Sequence, residues 1–194
     1  MAEKERIHEL VDAARDLFFR YGYKKTTLDD LAEAVGMTKS SLYHYFSSKE
    51  DLFKKVAKEL FRRDLAEADQ ILNQSSSLAE ALIKLQNQMR ERANEVDPNA
   101  AELMGEMTSF FPMIRDSFED NSKAFVELLK ARLDRSIEEG EYRAFPTHEY
   151  AVIMLMLLKN SLMFRKQVSS MNEITVNWGH YLEVLLAPYR MDAN

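Results

Sequence analysis

The chain contains no cysteine, only four prolines and only five glycines in 194 residues. Without cysteine there is no disulfide and no thiolate metal site, which fits a reducing cytoplasm. So little glycine and proline excludes a loop-rich or all-β chain, which needs both at its turns. No long apolar run is present. The longest, Ala151 to Leu158, is too short to cross a bilayer. No segment joins a basic start, an apolar stretch and a small-residue cleavage site, so no signal peptide is expected. Neither a glycine-rich phosphate loop nor a Ser-His-acid arrangement in recognisable context is found, so the chain is not expected to be an enzyme. No cofactor is implied.

Charged residues make up 30% and apolar residues 46%, the balance of a soluble globular protein. Net charge is −6, yet it is unevenly spread. Residues 1–63 carry 13 Lys+Arg against 11 Asp+Glu, and residues 64–194 carry 13 against 21. Charge acts over a screening length of about 8–10 Å, so a mildly basic N-terminal module can meet phosphate while an acidic body faces away.

Apolar periodicity predicts helices throughout, about nine of them. The first spans roughly residues 4–21, with Ile7, Leu10, Val11, Ala14, Leu17 and Phe18 on one face, and stops at Gly22. Thr27 is an N-cap type ahead of Leu28, Leu31, Ala32 and Val35, and Gly36 follows where a helix would stop. Thr38 caps a second segment of about two turns carrying Lys39, Ser40, Ser41, Leu42, Tyr43, His44 and Tyr45. Two short helices joined by a glycine turn read as a helix-turn-helix, and hydroxyls, a lysine and aromatic hydroxyls suit a surface lying on DNA. Ser48 with Asp51 opens a fourth helix, about residues 49–72, that links this module to the rest. Asn73 to Ser77 is a polar break. Further helices are expected at about 78–96, 97–111, 114–139, 148–168 and 172–186.

The residues Tyr21-Gly22-Tyr23, Thr26-Thr27, Leu31-Ala32, Val35-Gly36-Met37-Thr38-Lys39, Leu42-Tyr43, Phe46 and Lys49-Glu50-Asp51-Leu52-Phe53 resemble the signature of the tetracycline-repressor (TetR) family. The likeness covers roughly residues 5–60. Ser40 stands where the family often has Gly, and Tyr45 where it often has His. The resemblance implies an all-α protein with a three-helix DNA-binding domain in residues 1–50 and a ligand-binding and dimerisation domain in residues 51–194. It implies double-stranded operator DNA as partner, repression relieved by a small effector, a cytoplasmic homodimer and no membrane. Thr27, Thr38, Lys39, Ser40, Ser41, Tyr43, His44 and Lys49 would touch DNA. Of these, Lys39, Ser40 and Ser41 are the candidates for base edges, and Tyr43 and His44 for backbone.

The expected eighth helix is apolar nearly all round from Ala151 to Leu158, where a one-sided helix would show a stripe. It is either the central core helix or one that also faces a partner. The resemblance favours the second, with helices eight and nine of two subunits forming a bundle through Met154, Leu157, Leu158, Trp178, Tyr181 and Leu185. The body is also rich in Met and Phe, which adapt to irregular cavities. Given the family, Met89, Met104, Met107, Phe110, Phe111, Phe125, Met156 and Asn160 are candidates to line an apolar ligand pocket. Glu102, Glu106 and His148 do not have diagnostic metal spacing, and no metal is expected. The rival reading is a helical small-molecule-binding protein, or an enzyme, that keeps the motif only as scaffold.

Overall fold

Local chemistry explains the helix ends around the motif in the computed structural model, which describes residues 2–95, 100–167, 181 and 184–191. Seven α-helices are seen among these: α1 (Ala2–Tyr21), α2 (Leu28–Ala34), α3 (Lys39–Leu42), α4 (Lys49–Gln74), α5 (Leu78–Glu95), α6 (Ala100–Glu138) and α7 (Thr147–Gln167). A 3-10 turn, Ala187–Tyr189, follows. No strand occurs among the described residues, only an isolated antiparallel bridge between Tyr142 and Arg190. The chain is all-α.

Helix α1 ends where Gly22 adopts a left-handed φ of 81° and its N–H reaches Phe18 O at 3.0 Å. Thr27 begins α2 with a full capping box: Asp30 N–H donates to Thr27 Oγ1 (3.1 Å), and Thr27 N–H donates to Asp30 Oδ2 (2.7 Å). The Thr27 hydroxyl, which donates to Asp30 Oδ2 at 2.8 Å, and then the Thr27 N–H hold the Asp30 carboxyl below its ordinary pKa. Helix α2 closes in a Schellman motif, with Met37 N–H on Ala32 O (2.8 Å) and Gly36 N–H on Glu33 O (3.2 Å). Gly36 is there for its φ of 64° alone, since an added Cβ would meet nothing within 4 Å.

Helix α4 starts on Ser48, whose Oγ accepts from Asp51 N–H at 3.0 Å, while Asp51 Oδ2 accepts from Ser47 N–H at 3.0 Å. Glu59, within α4, accepts from Arg62 and Arg63 and its carboxyl is drawn down to about 2, chiefly by the Arg62 bonds.

Three sequence expectations change. The second helix of the motif is one turn, not two: after Leu42 the chain passes through a turn in which His44 N–H and Tyr45 N–H reach Ser41 O and Leu42 O. The two helices expected around Pro112 are one helix of 39 residues, α6, with Pro112 inside it. A proline costs its own N–H bond and crowds the preceding turn, but Phe110 and Ile114 on either side of it are both buried, and that packing holds the helix together. The ninth helix, expected at 172–186, falls mostly outside the described residues, with helical backbone seen at Val184–Leu186.

Two compact units are distinguished: Met1–Arg63 with Glu95–Asp120, and Asp64–Asn94 with Asn121–Asn194. In the first, Leu10, Ala14, Phe18, Leu31, Leu42, Phe46 and Leu52 form a core that is closed to solvent. In the second, Leu72, Leu78, Leu82, Leu85, Leu129, Leu133 and Met154 do the same. No described helix is long and apolar enough to cross a membrane.

Candidate nucleic-acid interface

The buried side of the motif leaves its polar side outward. Leu28, Leu31 and Ala32 of α2 and Leu42 of α3 point into the core, and Leu42 is fully buried. Register then puts Thr38, Lys39 and Ser40 on the exposed side, with Ser41 half-buried. Thr38 caps α3, accepting from Ser41 N–H at 3.1 Å, and the two hydroxyls lie 2.8 Å apart. The hydroxyl pair at this helix start is therefore preordered. Tyr43 and His44, on the turn after α3, are exposed, and Tyr43 keeps half of its surface in solvent. Phe46 then turns inward as a core residue. Thr27, also exposed, sits at the start of α2.

Lys39 is paired across the motif. Its ammonium donates to Asp29 Oδ2 of α2 at 2.7 Å, with both side chains open to water. That bond raises the lysine pKa, so Lys39 stays charged through the neutral range. An exposed pair of this kind is worth about 0–1 kcal/mol, small enough for a base edge or phosphate to replace the carboxylate. The sequence reading did not single out Asp29. An acidic residue in a first helical turn is favoured by the helix dipole alone and gives no local sign of a partner on the next helix.

Lys49, also expected at the DNA, lies in the first turn of α4 with its ammonium toward the α1–α2 loop, donating to Tyr23 O (2.6 Å), Thr26 O (2.8 Å) and Lys24 O (3.4 Å). Lys55 was also missed. It donates to Tyr45 O at 2.8 Å and lies 4.9 Å over the Phe46 ring, so it fastens the turn after α3 to α4.

Residues 10–56 match the family model for bacterial regulatory proteins of the tetR family. Over nearly its whole length, 94% of this chain and 92% of the other, the chain is 25% identical to YfiR, an HTH-type transcriptional regulator of Bacillus subtilis. The N-terminal module of the chain is thus of the tetR type. A second relative in sequence is the HTH-type transcriptional repressor AcnR of Corynebacterium glutamicum, 26% identical over 70% of this chain and 68% of that protein. In fold, the chain is similar to the transcriptional regulator FadR of Bacillus subtilis, solved in complex with stearoyl-CoA. The TM-score is 0.64 at 16% identity, over 93% of this chain and 97% of that one.

Of the other candidate residues, those that are described fall in both compact units. Phe125 lies in the core of the second unit and Met89 packs against it. Phe110 belongs to the first unit, its ring 4.4 Å from that of Tyr23 and 5.7 Å from that of Phe53. Phe111 is partly exposed beside Phe118. Met156 is 58% exposed. The side chains of Met104, Met107 and Asn160, like those of Glu102 and Glu106, lie outside the description. His148 is exposed, and no group of three metal-ligating residues occurs among the described residues.

The expected subunit seam is corrected in part. Ala151, Met154, Leu155 and Leu158 form the inward stripe of α7, so Met154 and Leu158 are used in the chain's own core. Leu157 is partly packed against the same core. The outward apolar residues are instead Val152, Ile153 and Met156, one turn apart on the opposite face. Tyr181 is exposed and Leu185 half-buried. Trp178 lies outside the described residues.

Proposed function

We propose that this protein is a cytoplasmic transcriptional repressor that binds a two-fold operator as a homodimer and leaves it when a small apolar effector binds. The observation that carries the reading is the preordered polar face of α2 and α3 over a closed core. Thr27, Thr38, Lys39, Ser40, Ser41, Tyr43 and His44 all lie on the motif's helix starts, outer face and following turn. In this reading, residues 1–50 recognise DNA. α3 presents Lys39, Ser40 and Ser41 to base edges, while Thr27, Tyr43 and His44 position the head on phosphates. The repressor name of the relative AcnR supports the sign of regulation.

Lys39→Ala tests this face. If Lys39 reads a base, operator affinity falls by about 1–3 kcal/mol and preference relaxes at one position per half-site. Binding unchanged for both operator and random DNA would remove Lys39 from the interface.

Residues 51–194 hold the effector and the subunit seam. The Phe125 and Met89 surroundings support an apolar effector, as does the fold's occurrence in a protein holding stearoyl-CoA. Helix α4 supplies Leu52 and Val56 to one core and Ala68 and Leu72 to the other, so a single helix enters both packings. Linkage requires that an effector lowering operator affinity by some factor be itself bound more weakly by that factor on the operator. Effector affinity measured by calorimetry, with and without saturating operator, is expected to differ at least tenfold, about 1.4 kcal/mol. Equal values would mean the two sites do not communicate.

A further inference from the structure

Helix α3 carries a single charged residue, Lys39, and that charge is already held by an acid of the neighbouring helix. Its Nζ donates to Asp29 Oδ2 at 2.7 Å, across ten residues of sequence. Asp29 lies in the first turn of α2, with its side chain 64% exposed. It takes no part in the capping box, which Thr27 forms with Asp30. The charged residues of α2 are Asp29, Asp30 and Glu33, and none is basic. The helix that seats the reading helix is therefore of the same sign as the DNA backbone.

An ammonium has three hydrogens to give. With one on Asp29, two remain. A phosphate that takes Lys39 exchanges one exposed ion pair for another of similar worth. Its charge then stands beside an unpaired carboxylate, which repels it. A base edge meets neither obstacle, because its acceptors are neutral. Guanine offers two of them, N7 and O6, to the two hydrogens that Asp29 leaves. We infer that Asp29 is a specificity-determining residue of the DNA-binding head: by holding the Lys39 ammonium it withholds that charge from phosphates, which occur in every sequence, and reserves it for a base edge that accepts hydrogen bonds. The inference rests on the operator-binding reading and deepens it. Affinity for random DNA comes from neutralised phosphates, and selectivity is a difference of affinities that grows when the wrong partner is weakened.

Asp29→Asn tests this, since it removes the charge and keeps the size at an exposed position. The probes are the duplex upstream of the protein's own gene and a random duplex of equal length, each titrated over a range of salt. The variant is expected to bind the random duplex about tenfold more tightly, with a salt slope steeper by about one unit as Lys39 takes up a phosphate. Affinity for the upstream duplex is expected to change by about twofold or less, so that selectivity falls. In a Lys39→Met protein the same substitution is expected to alter random binding by about twofold or less, because no ammonium is left to withhold. Unchanged random binding and salt slope in Asp29→Asn would overturn the inference. So would a tenfold gain that persists without Lys39, which would come from the lost charge alone. Weaker binding to the upstream duplex with random binding unchanged would overturn it too, because Asp29 would then read a base itself. Wild-type protein that binds both duplexes equally, or neither, would sink the operator reading and the inference with it. A selective wild type whose Asp29→Asn variant keeps that selectivity would sink the inference alone.

Discussion

Met156→Arg is expected to give a folded monomer whose operator affinity is lower by about two orders of magnitude, because one head alone offers half of the contacts. The residue is on the outward face of α7 with Val152 and Ile153, and at 58% exposure the isolated chain tolerates the change. An arginine there would enter a subunit seam without a partner, a cost of several kcal/mol. Met154→Arg is the instructive contrast. Met154 has no exposed surface, so the charge would be buried in the second core and unfold the protein instead. Sedimentation equilibrium and operator titration measure both effects. A Met156→Arg protein that remains dimeric with normal affinity would move the seam off this face.

Leu42→Ala is expected to destabilise the first compact unit by about 2–5 kcal/mol, the range for removing a fully buried leucine. Leu42 is the single buried residue of α3. It has no exposed surface, within a core that includes Leu31, Phe46 and Leu52. Losing it removes what seats α3, so operator binding should fail together with stability. Ile83→Ala, on an exposed position of α5, is the control and should change stability by about 0.5 kcal/mol or less. Denaturant unfolding of both variants gives the comparison. A Leu42→Ala protein as stable as the control would mean that α3 is held by something other than its core leucine.

What was readable in the sequence follows the range of the forces involved. The caps of α2, α3 and α4 were legible because a capping hydroxyl acts within one turn, joined by an acid three residues on in α2 and α4, and Thr27, Thr38 and Ser48 each cap as expected. Gly22, Gly36 and Gly140 mark breaks because each takes a positive φ. The apolar stripe of α1 named its core face. Pro112 misled because the local rule for proline was outweighed by burial of Phe110 and Ile114, which depends on the tertiary fold. The partners of Lys49 were illegible for a related reason. Its partners are 23 to 26 residues away in sequence, and no spacing rule connects a lysine to backbone carbonyls at that range. The face of α7 was ambiguous because an all-apolar stretch has no stripe. Only the burial pattern separates Met154 and Leu158 from Val152, Ile153 and Met156.

The most direct measurement is titration of the purified protein onto the DNA upstream of its own gene, at two salt concentrations, beside random DNA of equal length. The expected result is a sequence-selective complex at least about a thousandfold tighter than on random DNA, with an affinity that falls steeply as salt rises. Equal binding to both DNAs, or none to either, would contradict the claim that the α2–α3 face is a DNA reading head.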